Sequence, residues 1–174
     1  DRAWLSAYYA PGLGPVRVRA LLQRYGQLSA ALDAPTSHLT ELGIPLAALE
    51  RFTQPDTTQL ERAASWLAQP NHHLLHWEHP DYPTLLQQIP DPPLVLFVNG
   101  DVQLLSMPQL AVVGSRHPSK EGLQNARAFA SYLASAGLVV TSGLALGIDA
   151  AAHQGALESG RTIAVLGTGP DRVY

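Results

Sequence analysis

Three short turns rich in glycine contain the residues of this chain that are best suited to chemistry. They are Gly114-Ser115-Arg116, Thr141–Asp149 and Gly167-Thr168-Gly169. Together they offer hydroxyl groups, backbone N–H groups with little side-chain cover, and an arginine. Bare amides at helix N-termini bind anions, and a guanidinium matches the oxygens of a phosphate in a two-point contact. These residue types indicate a site for phosphate.

Each turn follows a short apolar run, which is the element that would position it. The runs are Leu110–Val113, Leu138–Val140 and Thr162–Leu166. Short β-branched runs bounded by glycine predict parallel strands buried on both faces. In such sheets ligands bind at the carboxyl ends of the strands. We therefore expect the three turns to meet at one edge of a sheet.

The segments between these runs have the pattern of helices. Apolar residues recur at nearly helical spacing from Ser119 to Ala136, and Gly137 stands where a helix commonly ends. Ile148–Glu158 predicts a second helix with small residues for close packing. Strand, helix, strand, helix, strand is typical of a doubly wound α/β fold with right-handed crossovers.

Other phosphate-binding signatures are missing from the sequence. The turn at Gly114 lacks the Gly-x-Gly-x-x-Gly fingerprint of dinucleotide-binding folds, and the chain contains no P-loop. The net charge of −3 excludes a global basic field, so an anion site has to be local. The chain has no cysteine, no signal peptide and no apolar run long enough to span a membrane, and we expect a cytoplasmic protein.

The N-terminal segment, residues 1–69, is helical in pattern and predicts a separate small domain. Its turn Pro11–Pro15 resembles the hairpin of helix–hairpin–helix modules, whose amides hold a backbone phosphate. Gly12, Gly14 and Arg17 are therefore possible secondary DNA contacts, and Leu42–Pro45 looks like a weaker copy. Alternatively, the glycine only permits a tight turn in a helical bundle, and Arg17 lies on an ordinary solvated face.

Residues 70–174 form the second predicted domain, with a connector and first strands at 70–109 and the phosphate motifs at 110–174. The run Leu94–Val98 predicts a strand. Four histidines precede it, and two of them have a workable metal-ligand spacing if the segment is helical. The surrounding residues favour an extended segment instead, so we expect structural histidines and no metal site. These are His72, His73, His76 and His79.

A catalytic interpretation of the second helix is also open. Asp149 and His153 are four residues apart and would face the same way, as a base and its orienting carboxylate would. The structural alternative has Asp149 capping its helix or pairing with Arg116, and His153 hydrogen-bonded beneath the sheet. Ser142 and Thr168 could be nucleophiles, although hydroxyls in such turns more often cap helices or contact phosphate. We favour the structural alternative, because no nucleophile accompanies the pair.

Five motifs in order resemble the DNA-processing protein A family, also called DprA or Smf. They are the Pro11–Gly14 hairpin, the Tyr82–Pro93 segment, Gly114–Arg116, Ser142–His153 and Thr162–Gly169. The resemblance implies a small SAM-like helical domain followed by an extended Rossmann-like domain. It also implies which residues line a pocket for DNA phosphate. These are Gly114, Ser115, Arg116, Ser142, Gly143, Ala145, Gly147, Ile148, Gly167, Thr168 and Gly169, with Lys120 adjacent.

The function implied by this resemblance is binding rather than catalysis. Such proteins bind single-stranded DNA during natural transformation (competence), independently of its sequence, and load the recombinase RecA onto it. The resemblance implies a homodimer without cofactor or membrane attachment. The family's domain continues beyond the equivalent of Tyr174, so we expect a chain truncated within its α/β domain, with an apolar sheet edge that another chain or segment covers.

Two other functions remain open at this point. A nucleotide-processing enzyme of the phosphoribohydrolase type would use a similar glycine-rich pocket, but its Pro-Gly-Gly-x-Gly-Thr motif is missing from the sequence. A pure interaction scaffold would bind no DNA through Arg116.

Overall fold

Helices fill the N-terminal part of the chain, as the apolar spacing predicts. The structure, a computed structural model, describes residues 1–169. Buried Val18, Leu21, Leu49 and Phe52 pack at the centre of this helical part. The helices are α1 Arg2–Tyr8, α2 Pro15–Tyr25, α3 Leu28–Leu32, α4 Thr36–Thr40, α5 Leu46–Thr53 and α6 Thr57–Leu67.

An antiparallel pair of strands completes the first compact unit. β1 (His72–His76) pairs with β2 (Val95–Asn99), and the short helix α7 (Thr84–Gln87) lies between them in sequence. The extended segment predicted around the histidines and the strand predicted from Leu94 are both present.

Residues 1–100 form one unit by their contacts, and a second unit begins at Asp101. The unit boundary thus lies some thirty residues beyond the domain boundary predicted after residue 69. The reason is aromatic packing between the helices and the strand pair. Trp4 of α1 stacks on His76 of β1 at 4.8 Å, and Trp66 of α6 stacks on His72 at 3.9 Å.

The second unit alternates strands with helices, which confirms the predicted α/β class. Ser119 begins α8 by accepting a hydrogen bond from the Gly122 N–H at 3.1 Å, and Gly137 follows its end with a φ of 91°. Both predicted helices are present with nearly the expected bounds. The elements are a 3₁₀ turn Val102–Ser106, β3 Gln109–Ala111, α8 Lys120–Ser135, β4 Val139–Ser142, α9 Ile148–Ser159 and β5 Thr162–Ala164.

The three strands form a parallel sheet in the order β3-β4-β5. Only the central strand β4 has the predicted burial on both faces: Val139 and Val140, which point to opposite faces, are 1% and 0% exposed. For β3 and β5 that prediction is wrong. All of β3 is exposed, including Leu110 at 41%, because β3 and β5 are the edges of the described sheet.

Close helix packing holds this unit together. A Cβ on Gly155 of α9 would lie 2.8 Å from the Arg127 carbonyl carbon of α8, so the two helices can touch only because residue 155 has no side chain. Small buried residues of both helices, among them Ala130 and Ala152, pack with Val140 of β4 in one core cluster. Among residues 1–169, no helix is both long and apolar enough to cross a membrane.

Candidate functional site

The three glycine-rich turns meet at one edge of the sheet, as predicted from their position after parallel strands. Ala111 is paired with Thr141, and Ser142 with Ala164, so β3, β4 and β5 end side by side. The Val165 N–H donates to the Ser142 carbonyl at 2.9 Å just beyond the last strand. We call the turns 112–117, 143–147 and 165–169 the strand-end rim.

Ser142 fastens the first two turns together. Its side chain is buried, at 3% exposure, and its hydroxyl donates to the Val112 carbonyl at 2.7 Å. The hydroxyl proton therefore points into the fold. Ser142 can position the rim, whereas its hydroxyl is not presented to solvent as a phosphate ligand.

The turn 143–147 lies directly against the turn that carries Arg116. Gly147 has a φ of 86°, and a Cβ there would lie 2.9 Å from the carbonyl carbon and from Cα of Arg116. A Cβ on Gly114 would similarly lie 2.8 Å from the Ile148 side chain. The Ile148 N–H donates to the Ser115 carbonyl at 3.1 Å. The glycines thus allow two loops to touch backbone to backbone.

Asp149 organises the turn that precedes its own helix. Its carboxylate is buried, and one oxygen accepts hydrogen bonds from the Gly143 N–H at 3.2 Å and the Ala145 N–H at 3.5 Å. These two amides point to Asp149, so they are not open to a ligand. The alternative pairing of Asp149 with Arg116 is not present among residues 1–169, where the Arg116 guanidinium is exposed and forms no ion pair.

His153 is hydrogen-bonded inside the fold. Its Nδ1 lies 2.7 Å from the Thr162 hydroxyl, which itself donates to the Val140 carbonyl at 2.7 Å. The hydroxyl therefore accepts a hydrogen bond from Nδ1–H, which fixes the tautomer and leaves the buried Nε2 without a partner among the described residues. Burial lowers the pKa of His153, and the Asp149 charge partly offsets this effect. This geometry supports the structural alternative for the pair.

The groups that remain open to solvent are those facing outward from the rim. Arg116 is exposed, and so is Lys120 in the first turn of α8. The Ser115 hydroxyl accepts a hydrogen bond from the His117 N–H at 3.0 Å, which keeps the turn compact. Gly167, Thr168 and Gly169 are also exposed at the third strand end. This arrangement can hold an anion, with the guanidinium as its principal donor.

Two exposed leucines in the same rim were not among the predicted site residues. Leu144 is 46% exposed with a φ of 57°, and Leu146 is 79% exposed. Apolar residues in a glycine-rich turn are read as packing residues, so pattern alone gave no reason to place them at a site. The alternating sequence Gly143-Leu144-Ala145-Leu146-Gly147 was the available signal.

The possible secondary contact in the first unit is internally bonded. The Arg17 guanidinium donates to the Gly12 carbonyl at 2.5 Å and to the Gly43 carbonyl at 3.1 Å. Gly12 has a φ of 88°, and Gly14 precedes the first residue of α2. Arg17 thus links the hairpin to its weaker copy, which is what a structural role requires.

The four histidines predicted to be structural lie on or near the antiparallel pair. His72 bonds the Trp66 carbonyl through Nδ1 at 2.7 Å, and His76 stacks on Trp4. His79 accepts a hydrogen bond from the Asp81 N–H at 3.1 Å. Within residues 1–169, no three His, Asp or Glu side chains come together as a group that could hold a metal ion.

Comparison with known proteins identifies the family. The model of the family described as DNA recombination-mediator protein A matches residues 73–174, which is more than half of the chain. The chain belongs to this family. The protein Smf of Escherichia coli is 42% identical over 137 residues, covering 78% of this chain and 37% of the relative. The DNA processing protein DprA of Streptococcus pneumoniae is 41% identical over 131 residues, covering 75% of this chain and 44% of that protein.

Solved structures of this recombination-mediator family agree with the fold. DprA of Streptococcus pneumoniae matches with a TM-score of 0.80 at 31% identity, covering 100% of this chain and 60% of the other. DprA of Helicobacter pylori, described for its single-stranded DNA binding mode, matches with a TM-score of 0.53 at 33% identity, covering 59% of this chain and 46% of the other. The chain spans at most about half the length of the curated relatives it matches.

Proposed function

We propose that the strand-end rim binds the sugar-phosphate backbone of single-stranded DNA, and that this chain belongs to a protein that processes DNA during natural transformation. The observation that carries the proposal is Arg116. Its guanidinium is exposed and lies on a loop held against Gly147. An exposed guanidinium that pairs with no carboxylate among residues 1–169, on a loop whose backbone is held in place, is suited to a phosphate.

The relatives support this choice of ligand. DprA of Streptococcus pneumoniae is named as a DNA processing protein, and DprA of Helicobacter pylori is described as binding single-stranded DNA. Incoming DNA can have any sequence. Phosphates are common to all of it, so recognition of the backbone suits such a protein.

The remaining parts of the proposal concern the whole protein. It would load RecA onto the bound strand, act as a homodimer and work in the cytoplasm. The helical part, residues 1–69, would correspond to a SAM-like domain and residues 70–174 to the Rossmann-like domain, although β1 and β2 pack in one compact unit with the helices. Gly12, Gly14 and Arg17 would be a secondary DNA contact, in which the two carbonyl bonds of Arg17 hold the hairpin in shape.

We further propose that the protein is not an enzyme. Asp149 and His153 are the pair best suited to acid–base work, and both are engaged inside the fold. Neither presents a reactive atom to the rim. A phosphoribohydrolase-type enzyme would instead release free base from a nucleoside monophosphate, and we expect the full-length protein to release none.

Fluorescence anisotropy of labelled oligo-dT with the full-length protein tests the proposal. Arg116→Ala should weaken binding by about 1.5–3 kcal/mol, which is the scale of a hydrogen bond to a charged group. Over a salt series, losing one phosphate contact should make the slope of log K against log salt shallower by about 0.7.

Arg161→Ala is the matched control. Arg161 is exposed like Arg116, but it precedes β5 and therefore lies at the opposite end of that strand. We expect near wild-type binding from this variant. Equal losses from both variants would mean that only net charge matters. Unchanged binding by Arg116→Ala would remove the rim as the DNA site.

A further inference from the structure

Two leucine side chains project from the middle of the phosphate-binding rim. Leu146 is 79% exposed and directly precedes Gly147, which touches the Arg116 backbone. Leu144 lies two residues earlier and is 46% exposed. A phosphate forms no favourable contact with an aliphatic side chain, so the proposed function leaves the two leucines unexplained.

The fold holds these leucines outward by fixing the residues beside them. Asp149 binds the amides of Gly143 and Ala145, which anchors these two positions toward the interior. The intervening residue, Leu144, then has a φ of 57°. This left-handed conformation is unfavourable for leucine, and asparagine or glycine would adopt it at less cost. The chain thus carries an aliphatic side chain at a position where local conformation favours a different residue.

The rim carries the same two kinds of group as a nucleotide chain, one for phosphate and one apolar. Each nucleotide presents a polar, charged phosphate and a largely apolar base face. In the rim, the loop of Arg116 packs against Gly147, and the exposed Leu146 directly precedes that glycine. In a duplex the base faces are stacked and covered, whereas in a single strand they are available.

We propose that Leu144 and Leu146 form an apolar shelf on which nucleobases of single-stranded DNA pack while the adjacent phosphate binds at Arg116. This inference rests on the proposed function and adds to it. Binding to the shelf does not depend on base identity, because every base has an apolar face. It gives the rim a preference for single strands over duplex, which contact with phosphate alone does not provide.

The test compares three probes with the full-length protein: oligo-dT, an abasic oligonucleotide of the same length, and a duplex. Wild type should bind oligo-dT about fivefold or more tightly than the abasic strand, because burying even a small apolar area against a leucine contributes on this scale. Leu146→Ser should bring the affinity for oligo-dT close to that for the abasic strand and leave the abasic affinity unchanged. Leu144→Asn should likewise lower the affinity for oligo-dT. It should not lower stability, because asparagine suits the left-handed backbone conformation at this position.

Leu157→Ser is the control variant, since Leu157 is also an exposed leucine (66%) but lies near the other end of α9. It should bind all three probes as wild type does. Wild-type protein that binds oligo-dT and the abasic strand equally would overturn the shelf and leave the phosphate site in place. Wild-type protein that binds neither would refute both.

A different occupant of the shelf would also be visible. If Leu146→Ser changed the oligomeric state or the unfolding of the full-length protein, with its preference for oligo-dT over the abasic strand intact, protein rather than DNA would cover these leucines. That result would overturn the inference. Arg116→Ala, by contrast, should weaken binding of both single strands by a similar factor.

Discussion

Replacing Gly147 with alanine should separate the two loops that form the rim. Gly147 precedes α9, with φ and ψ of 86° and −126°. A Cβ there would clash with the Ser115 carbonyl oxygen and would lie 2.9 Å from two backbone atoms of Arg116. Favourable carbon–carbon contacts begin at about 3.5 Å, so the Arg116 loop would have to retreat by roughly 0.6 Å or more.

The expected cost has two parts. Holding a residue with a side chain in this sparsely populated conformation costs about 1–3 kcal/mol. Moving the loop also breaks the 3.1 Å hydrogen bond from the Ile148 N–H to the Ser115 carbonyl, which contributes about 1 kcal/mol. The sum is about 2–4 kcal/mol, or a roughly 30- to 900-fold change in the opening equilibrium of this contact.

Hydrogen exchange is the direct assay, because the Ile148 amide reports the contact itself. Its protection in Gly147→Ala should fall by the factor above, and oligo-dT affinity should fall with it as Arg116 loses its position. Tryptophan fluorescence would be a poor reporter, since Trp4, Trp66 and Trp77 all lie in the first unit.

Gly137→Ala separates the steric effect from the conformational one. Gly137 has a similar φ of 91°, but a Cβ there would meet nothing within 4 Å. This variant should lose about 1–2 kcal/mol of stability and keep both the Ile148 protection and DNA affinity. If the two variants behaved alike, close packing of the loops would not be what positions Arg116.

Two further predictions concern buried polar groups. Asp149→Ala should lower amide protection at Gly143 and Ala145 and weaken oligo-dT binding by about 1–3 kcal/mol. Asp149→Asn should have an effect between those of wild type and Asp149→Ala. A gain in affinity would show that removing a negative charge outweighs loss of loop order. Burial lowers the pKa of His76 to about 4 from 6.5, so protonation favours the unfolded state. Stability should therefore fall by about 1–2 kcal/mol as the pH drops from 6.5 toward 4, since solvent screens part of the effect at this half-buried ring. His76→Phe, which keeps the stacking on Trp4, should flatten this part of a urea-denaturation pH series, whereas His38→Phe at an exposed position should not; an unchanged slope in His76→Phe would refute the assignment.

The second unit was largely predictable because its signals are local. Apolar spacing, the Ser119 cap and Gly137 together define α8 to within a residue at each end. The extent of the first unit was not predictable in this way. It depends on Trp4 stacking on His76 and Trp66 on His72, and no local pattern indicates that these residues meet.

The position of the rim also followed from sequence, since parallel strands end at a common edge. The role of each residue did not. Gly143 and Ala145 lie in the predicted turn, yet their amides face Asp149. Ser142 turns its hydroxyl to Val112. The direction of an N–H or O–H group depends on φ, ψ and χ values that tertiary contacts decide, and residue type does not encode them.

A buried carboxylate beneath an anion-binding rim is unfavourable on charge alone, and its contacts explain how the fold can use it. Asp149 accepts hydrogen bonds from two amides, which offsets the free-energy cost of burying its charge. It also lies in the first turn of α9, where the helix dipole favours an anion. These two hydrogen bonds order the rim, and they make the two amides unavailable to a ligand. In the proposed function, phosphate binding would then depend on exposed Arg116 and Lys120, whose attraction salt screens readily. In the proposed role this is an advantage, because a strand held by few exposed charges and an apolar shelf can be released to the next protein.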